Sequence, residues 1–501
     1  MIELRDYQQR TVDICRKHAA DGYTRILVVA PTGSGKACTA AAIMHSALRN
    51  FGARCLLFVH RQEIINHVIR QLARFGVTEV GVMRADDERT DPTQPIQIAS
   101  KATLVRRELP QADIVIIDEA HFSPRTTLEI LRAYHGAQVF GFTATPVPAG
   151  GGSLGGELFQ ILVPSASYKE LIAAGWIAEP TIWGIERPVD LSAVTTTAGD
   201  FDLRGLELAM DQPQVTGDIV ETWKAKAGGR KTVCFACTID HSWSIVERFW
   251  AAGIAAAHLD GETPEDERER LLAMLETGEI QVLSNVDCLS EGWDQPSVKC
   301  MISARPTLSL TKWMQQSGRV LRPWKGVRPI IIDHAGNMDR HFSPCLDRIW
   351  GLDGSARLVE KNPYRLCPRC FAFVLENPCE LCKHFEPPAE RPAVREQPKA
   401  VLVEKKQEDV RRADFIAFLQ SASVKGFRPG YASAKYKEKY GDWPPRSWGE
   451  EAKRMFAQDQ GWQLRQVKRE NERAYWQGQK KADDAPIAPE DAFGGWLKPP
   501  A

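Results

Sequence analysis

Residues 26–38, ILVVAPTGSGKAC, pass from an apolar run into a glycine-rich turn and then into an alanine-rich helical stretch. That order suits a polyphosphate. Gly33 and Gly35 let the backbone curl so that successive N–H groups, in a loop completed by Thr32 and Ser34, face phosphate oxygens at a helix N-terminus. Lys36 then sets a positive charge against the β and γ phosphates. Such loops usually end in Lys followed by Ser or Thr, whose hydroxyl is a magnesium ligand; here the position is Ala37. Cys38 is a poor ligand for a hard cation, and Thr39 points to another face of the helix. A triphosphate should bind, with the Mg2+ shell one hydroxyl short.

A second chemical group lies about 80 residues on, where ADIVIIDEAH (112–121) ends an apolar strand in carboxylates. In parallel sheets ligands collect at the carboxyl ends of strands, where the phosphate loop also opens. Asp118 would hold magnesium directly or through water, and Glu119 would orient and deprotonate an attacking water. A solvated acidic loop is the plainer alternative, made less attractive by the phosphate loop. Further on, Thr143 and Thr145 in VFGFTATP are placed to hydrogen-bond His121 and link hydrolysis to movement, or merely to cap a turn. Upstream, Arg5 and Gln8 in LRDYQQR offer a guanidinium and a planar amide suited to an adenine edge, or to nothing beyond an exposed helix face.

Twelve cysteines divide into scattered core positions and one cluster. Cys367-x-x-Cys370 and Cys379-x-x-Cys382 can present four thiolates tetrahedrally to Zn2+, with Pro368 and Pro378 favouring the turns. All four positions being protein, that zinc would be structural; His384 is the weaker ligand. Cys234-x-x-Cys237 sits inside an apolar strand with no second pair nearby and reads as core.

The elements that must position these groups follow a strand and helix alternation that indicates parallel sheets. Strands are expected at 26–30, 55–60, 96–100, 112–117, 139–143, 231–238 and 280–285, with IIIDHAGN (330–337) as the last. Helix 264–277 is expected to start with Thr263 as N-cap and Pro264 at its first position, and to stop at Gly278. GGSLGG (151–156) reads as a flexible break between two large domains. Basic and acidic residues balance at 64 each, so any nucleic-acid surface must be local. No apolar run reaches membrane-spanning length and the N-terminal stretch is too polar for a signal peptide, which points to a cytoplasmic protein without membrane contact.

APTGSGKA, DEAH and FTATP, in this order and spacing, resemble the superfamily 2 helicases of the DEAD/DEAH type. The resemblance implies an α/β fold of two tandem RecA-like motor lobes, here 1–155 and 156–350, that hydrolyse ATP between them. It makes LRDYQ an adenine-reading motif. It assigns His60 and Arg61, with Ser100 and Thr103, to the nucleic-acid backbone. VDCLSEGWDQP resembles the motif whose Glu291, Gly292 and Asp294 contact nucleotide and strand. QQSGRVLRP resembles the motif that carries Gln315 as a coupling residue and docks Arg319 and Arg322, three apart on one helical face, onto the γ-phosphate. IIIDHAGN and the cysteine cluster after it are similar to the RadD-like branch of bacterial and phage helicases.

Beyond the motor, 351–385 is expected as a zinc-ribbon-like module, 386–412 as a linker, 413–480 as a basic and aromatic helical module and 481–501 as a disordered tail. Residues 401–480 carry an excess of six basic side chains. Phe427, Tyr431, Tyr436, Tyr440 and Trp443 either stack on unpaired bases or form the core of a small helical module. The expected activity is an ATP-dependent DNA helicase or translocase acting on single-stranded or branched DNA in repair or recombination, with room for a repair or single-strand-binding partner. Two rivals stand beside it: the motor subunit of a restriction or defence complex, whose nuclease a partner would supply, and a nucleic-acid-binding pseudo-ATPase disabled by Ala37.

Overall fold

The computed structural model describes residues 3–60, 63–78, 80–83, 87–148, 151–185, 189–197, 199–211, 213–290, 293–386, 407–424 and 430–448. Residues 1–387 form one compact unit; those from Pro388 onward form a second.

Seven strands build the first sheet: β1 Arg25–Val29, β2 Cys55–Val59, β3 Val80–Met83, β4 Ile96–Ser100, β5 Ile114–Ile117, β6 Gln138–Thr143 and β7 Ile161–Pro164. They lie in the order β3-β4-β2-β5-β6-β1-β7, every pair parallel. Both faces are covered, which explains why the strands read as unbroken apolar runs. Along β1, Ile26 and Val28 join the core under helices Asp6–Ala20 and Lys36–Phe51, while Leu27 and Val29 join the opposite core with Leu56, Phe58 and Val115. The alanines of helix 36–51 let it lie close to the sheet, and Gly52 ends it in the left-handed region.

The second sheet takes β8 Thr181–Trp183, then, after the small hairpin β9 Thr196–Thr197 and β10 Asp200–Phe201, β11 Thr232–Phe235, β12 Ala256–Leu259, β13 Val282–Asn285, β14 Cys300–Ser303 and β15 Ile330–Asp333. The chain goes on through the separate hairpin β16 Arg348–Trp350 and β17 Ala356–Leu358 to β18 Arg365–Leu366 and β19 Ala372–Val374. The order is β12-β13-β11-β14-β15-β8-β19-β18, parallel as far as β8 and antiparallel beyond. Cys234 and Cys237 are fully buried, and Cys237 Sγ donates to the Ala304 carbonyl at 3.4 Å. They are core, as expected.

Several expectations need correction. β7 pairs with β1, so the first lobe runs past residue 155 to Pro164. The glycine-rich 151–156 segment is anchored: Leu154 is buried, its N–H donates to the Leu352 carbonyl at 2.7 Å, and Ser153 Oγ donates to the same oxygen. Strand 330–333 is not the last, because β18 and β19 extend its sheet. The helix Glu265–Thr277 has Pro264 as N-cap; Thr263 is turned away by Asp260, to whose Oδ1 its hydroxyl donates at 3.0 Å. Gly278 does end it, in the left-handed region. Residues 189–211 form an insert whose helix Leu203–Met210 packs Leu206 and Met210 on Cys237.

In the second unit, helices Gln407–Val424 and Gly430–Tyr440 enclose Phe415, Ala432 and Tyr436, with Phe418, Leu419, Tyr440 and Trp448 around them. Helix therefore begins inside the stretch expected as linker; 387–406 and 449–501 lie outside the described residues, as does Phe427. Tyr436 and Tyr440 are core, whereas Trp443 is exposed with Lys437 Nζ over its ring at 4.6 Å. Among the described residues, no helix is long and apolar enough to cross a membrane.

The β1/β6 contact yields a direct test. A Cβ on Gly141 would lie 2.6 Å from Phe159 Cε1 and 3.0 Å from Leu27 Cδ1. Gly141→Ala should cost about 1–3 kcal/mol by overpacking, read as a lower urea midpoint for the motor unit.

Candidate nucleotide and metal sites

The phosphate loop is held from behind by the first helix. Gly33 and Gly35 take φ of 86° and 81°, which glycine adopts without a Cβ penalty. Tyr7 Oη donates to the Ser34 carbonyl at 2.6 Å, and Gln8 Nε2 approaches the Ser34 and Gly35 carbonyls at 3.3 and 3.4 Å. Those bonds fix the loop's carbonyls to the first helix, and the Ser34 N–H closes the loop on the Pro31 carbonyl at 3.1 Å. Gln8 Oε1 meanwhile accepts from the Arg5 N–H at 3.1 Å, and the Arg5 guanidinium lies 3.6 Å over the Trp176 ring. Both Gln8 amide atoms thus engage protein here.

Lys36 opens helix 36–51 and points across to β5, its Nζ 3.7 Å from Glu119 Oε1. Glu119 has φ 44°, so the chain turns sharply after Asp118 and brings both carboxylates to the end of the strand. Burial pushes the Asp118 carboxyl up to about 6, with Glu119 adding to the rise and Lys36 opposing it. Burial would raise Glu119 too, but the charges of Lys36 and Arg319 and the neighbouring His121 hold it below the usual range. Glu119 stays a carboxylate, the form a general base requires.

His121 is buried, and burial lowers its imidazole to about 4, so it is neutral. Its tautomer follows from its neighbours. Thr143 Oγ1 donates to the Thr145 carbonyl at 3.0 Å and therefore accepts from His121 Nδ1 at 2.8 Å. Nε2 is left as acceptor, and Gln315 Nε2 of the second lobe faces it at 3.5 Å. Among the described residues the Thr145 hydroxyl has no partner; its backbone N–H donates to Thr143 Oγ1 at 3.0 Å.

The second lobe meets the loop most closely at Gly318. A Cβ on Gly318 would come within 2.7 Å of Thr32 Cβ, so only glycine lets the chain here lie against the Thr32 side chain. Gly318 also ends the helix Leu310–Gly318, and Arg319 is its C-cap. The two arginines therefore do not share a helical face: Pro323 disfavours helix at Arg322, and the chain uncoils. Arg319 donates to the Ser290 and Trp293 carbonyls at 2.9 and 2.6 Å, while Arg322 is paired with Asp294 and passes beside Gly33. Burial lowers Arg322 to about 10.

Of the residues assigned to the nucleic-acid backbone, His60 follows directly on β2, Ser100 ends β4, and Thr103 donates its N–H to Ser100 Oγ at 3.2 Å. Arg61, Glu291 and Gly292 lie outside the described residues. Two buried lysines escaped sequence reading. Lys101 Nζ donates to the Phe122 carbonyl, just after His121, and Lys299 Nζ donates to the Val320 carbonyl at 3.1 Å and to that of Arg322. Burial lowers each to about 8. The signal available was a lone lysine at the edge of an apolar strand, which usually means only a strand end.

The donor set fits magnesium in part. Asp118, Glu119 and Lys36 converge, and Ala37 supplies no side-chain oxygen; the buried Ser34 Oγ has no partner among the described residues. At the far edge of the second sheet, Cys367, Cys370, Cys379 and Cys382 bring four Sγ atoms within 4.8 Å of one another, compatible with zinc. The two knuckles match. Phe371 and Lys383, each just after the second cysteine of its pair, have φ of 60° and 57°, and their N–H groups bond the Cys367 and Cys379 carbonyls at 2.9 and 2.8 Å. Burial would push the Cys367 thiol up, but the Cys370 and Arg369 N–H groups outweigh it and bring it to about 7.

A family model described as Type III restriction enzyme, res subunit, matches residues 1–148, and one described as Helicase conserved C-terminal domain matches 214–323. A 51.5 kDa protein of a Lactococcus phage is 28% identical over 392 residues, 76% of this chain and 83% of the phage protein. The Saccharomyces cerevisiae protein IRC3, named as an ATP-dependent helicase, is 28% identical over 344 residues, 64% of this chain but only 49% of IRC3. The chain thus spans about half of that relative. A fragment of an HsdR subunit of a type I restriction enzyme from Vibrio vulnificus shares the fold at TM-score 0.53 and 19% identity, over 71% of this chain and 70% of the fragment.

Two outcomes follow. Gly318→Val should hold the lobes apart, leaving ATP binding by the first lobe intact while turnover falls by at least about 100-fold, the cost of misplacing catalytic groups by an ångström. Steady-state hydrolysis beside equilibrium binding of a fluorescent ATP analogue separates the two. Cys379→Ser, or zinc chelation, should release β18 and β19 and lower the melting temperature of the motor unit, with about one zinc per chain lost by elemental analysis.

Proposed function

The chain belongs to superfamily 2 of the helicases, and from that membership we propose that it is an ATP-dependent DNA helicase or translocase acting in repair or recombination. The observation that carries this reading is the convergence of Gln315, Gly318 and Arg322 on His121, Thr32 and Gly33 across one cleft, beside the Lys36–Glu119 pair. A site divided in this way makes hydrolysis depend on lobe closure.

In the proposed reaction Lys36 and the loop N–H groups hold the β and γ phosphates, and Glu119 takes the proton of the attacking water. Arg322 exchanges Asp294 for the γ-phosphate, and Arg319 stabilises the negative charge that builds there; an arginine in this role is worth about 10³ to 10⁵ in rate. Magnesium would supply charge neutralisation to the phosphates. Asp118 would hold it, with water standing where a hydroxyl beside Lys36 would otherwise reach. Release of phosphate would free Arg322 to return to Asp294, and the Gln315–His121–Thr143 chain would carry the change into the first lobe.

DNA is the proposed track, single-stranded or branched, along the carboxyl ends of β2 and β4 and the matching loops of the second lobe. The exposed Trp443 with Lys437 over it gives the C-terminal unit one base-stacking position. Zinc is proposed as a structural ion, the cytoplasm as the compartment, and a repair or single-strand-binding protein as the partner. The family model named for a restriction subunit favours a second reading, a motor in a restriction complex. Co-purification of a nuclease with the full chain would favour it.

ATP hydrolysis with and without single-stranded DNA at saturating magnesium is the first measurement. The chain should turn over and DNA should accelerate it. Ala37→Thr should raise the rate at limiting magnesium by about tenfold, a 1.4 kcal/mol gain. Turnover only by the Thr variant would make the chain an ATP-binding clamp; turnover by neither would remove the motor reading.

A further inference from the structure

Phe122, the residue after His121, touches three elements at once. Its N–H donates to the Glu119 carbonyl at 3.0 Å, closing the turn that carries the catalytic carboxylate. Its carbonyl accepts from Lys101 Nζ. Its ring lies flat on the His60 imidazole, centroids 4.5 Å apart and planes 7° from parallel, and against His121 at 4.2 Å.

Those partners lead to the strand-contacting edge of the first lobe. His60 follows directly on β2. Lys101 is the first residue of the one-turn helix Lys101–Leu104, whose cap is Ser100 at the end of β4; Ser100 Oγ and Thr103 Oγ1 lie 2.9 Å apart. Both proposed backbone-contacting segments therefore converge on one residue, and that residue is hydrogen-bonded to Glu119. Lys101 is almost completely buried, an uncommon place for a lysine unless its charge is used.

We propose that Phe122 and Lys101 are positioning residues that transmit DNA engagement to Glu119 within the first lobe, by a route separate from the interlobe Gln315–His121 contact. A phosphate drawn to His60 or to the Ser100 cap shifts the imidazole or the short helix. Phe122 follows, because its ring and carbonyl are held by those two elements. The Glu119 turn is then drawn into line with the attacking water. The step rests on the reading that DNA stimulates hydrolysis.

The test uses the full chain with Phe122→Leu, Phe122→Tyr and Lys101→Met. ATP turnover is measured with and without a single-stranded oligonucleotide, DNA affinity by fluorescence anisotropy, and folding by circular dichroism. Phe122→Leu should fold, bind DNA and keep its basal rate, yet lose roughly tenfold in DNA stimulation, within the range of couplings between sites. Phe122→Tyr keeps the flat ring and should restore stimulation, which a merely structural role would not require. Lys101→Met should lose stimulation as Phe122→Leu does. If the unmodified chain is stimulated and Phe122→Leu and Lys101→Met are stimulated equally, the inference is overturned while the motor reading stands. Loss of DNA affinity in Phe122→Leu would overturn it in favour of direct contact. An unmodified chain that turns over without any response to DNA would overturn the motor reading and this inference together.

Discussion

The site depends on one contact, where the backbone of Gly318 lies against Thr32 of the phosphate loop with no room for a Cβ between them. Everything the second lobe contributes is measured from there. Gln315 precedes it by less than one helical turn and meets His121; Arg322 follows it and passes beside Gly33. Any side chain at 318 would push both contacts outward together. A charge on an arginine falls off steeply in usefulness with distance in a partly desolvated cleft, so closure and catalytic electrostatics are one variable.

For such a contact to act as a switch, each lobe must hold its own loop rigidly, and the two buried lysines do this in parallel ways. Lys101 ties the carbonyl after His121 to the end of β4, and Lys299 ties the Val320 and Arg322 carbonyls to the start of β14. Burying an ammonium is costly unless it is well satisfied, and backbone carbonyls at loop turns have lone pairs to spare. The outcome is a pair of braced loops facing each other. Movement between the lobes then falls on contacts such as Gln315–His121, which breaks without leaving either lobe's core open, while Arg322–Asp294 is a pair the second lobe keeps to itself.

How much of this was legible follows from what each residue's role depends on. Lys36, Asp118 and Glu119 could be placed from the sequence because strand ends and a glycine turn fix them locally. The His121–Thr143 bond followed because β5 and β6 are neighbours in the sheet. The arginine geometry did not, because spacing of three implies a shared helical face only while the helix lasts, and Gly318 and Pro323 end it first. Thr263 was misread for a similar reason: an acidic neighbour, Asp260, captured the hydroxyl that a cap requires. Lys101 and Lys299 were invisible because their partners are carbonyls more than 20 residues away, and backbone groups leave no mark in a sequence. β7 was missed because ILVP is short and follows a glycine-rich stretch that looked like a boundary, while the Leu352 backbone that anchors that stretch lies far along the chain.

The cysteine module shows the same limit from another side. Its four thiols were evident from spacing, yet spacing cannot say what the module is attached to. In the fold, Ala372 and Phe373 of β19 pair with Trp183 and Ile182 of β8, and Phe373 packs against Gly184. β8 is the strand by which the chain enters the second sheet after leaving the first lobe, and without β19 it would be an unpaired edge. Exposed edges of this kind invite pairing with other chains, and proteins usually cover them. The knuckles hold a two-stranded cover whose own strands, two and three residues long, are too short to stay paired by themselves. A metal bound there would therefore stabilise the motor sheet directly, and the module is better regarded as the last part of the second lobe than as an appendage to it.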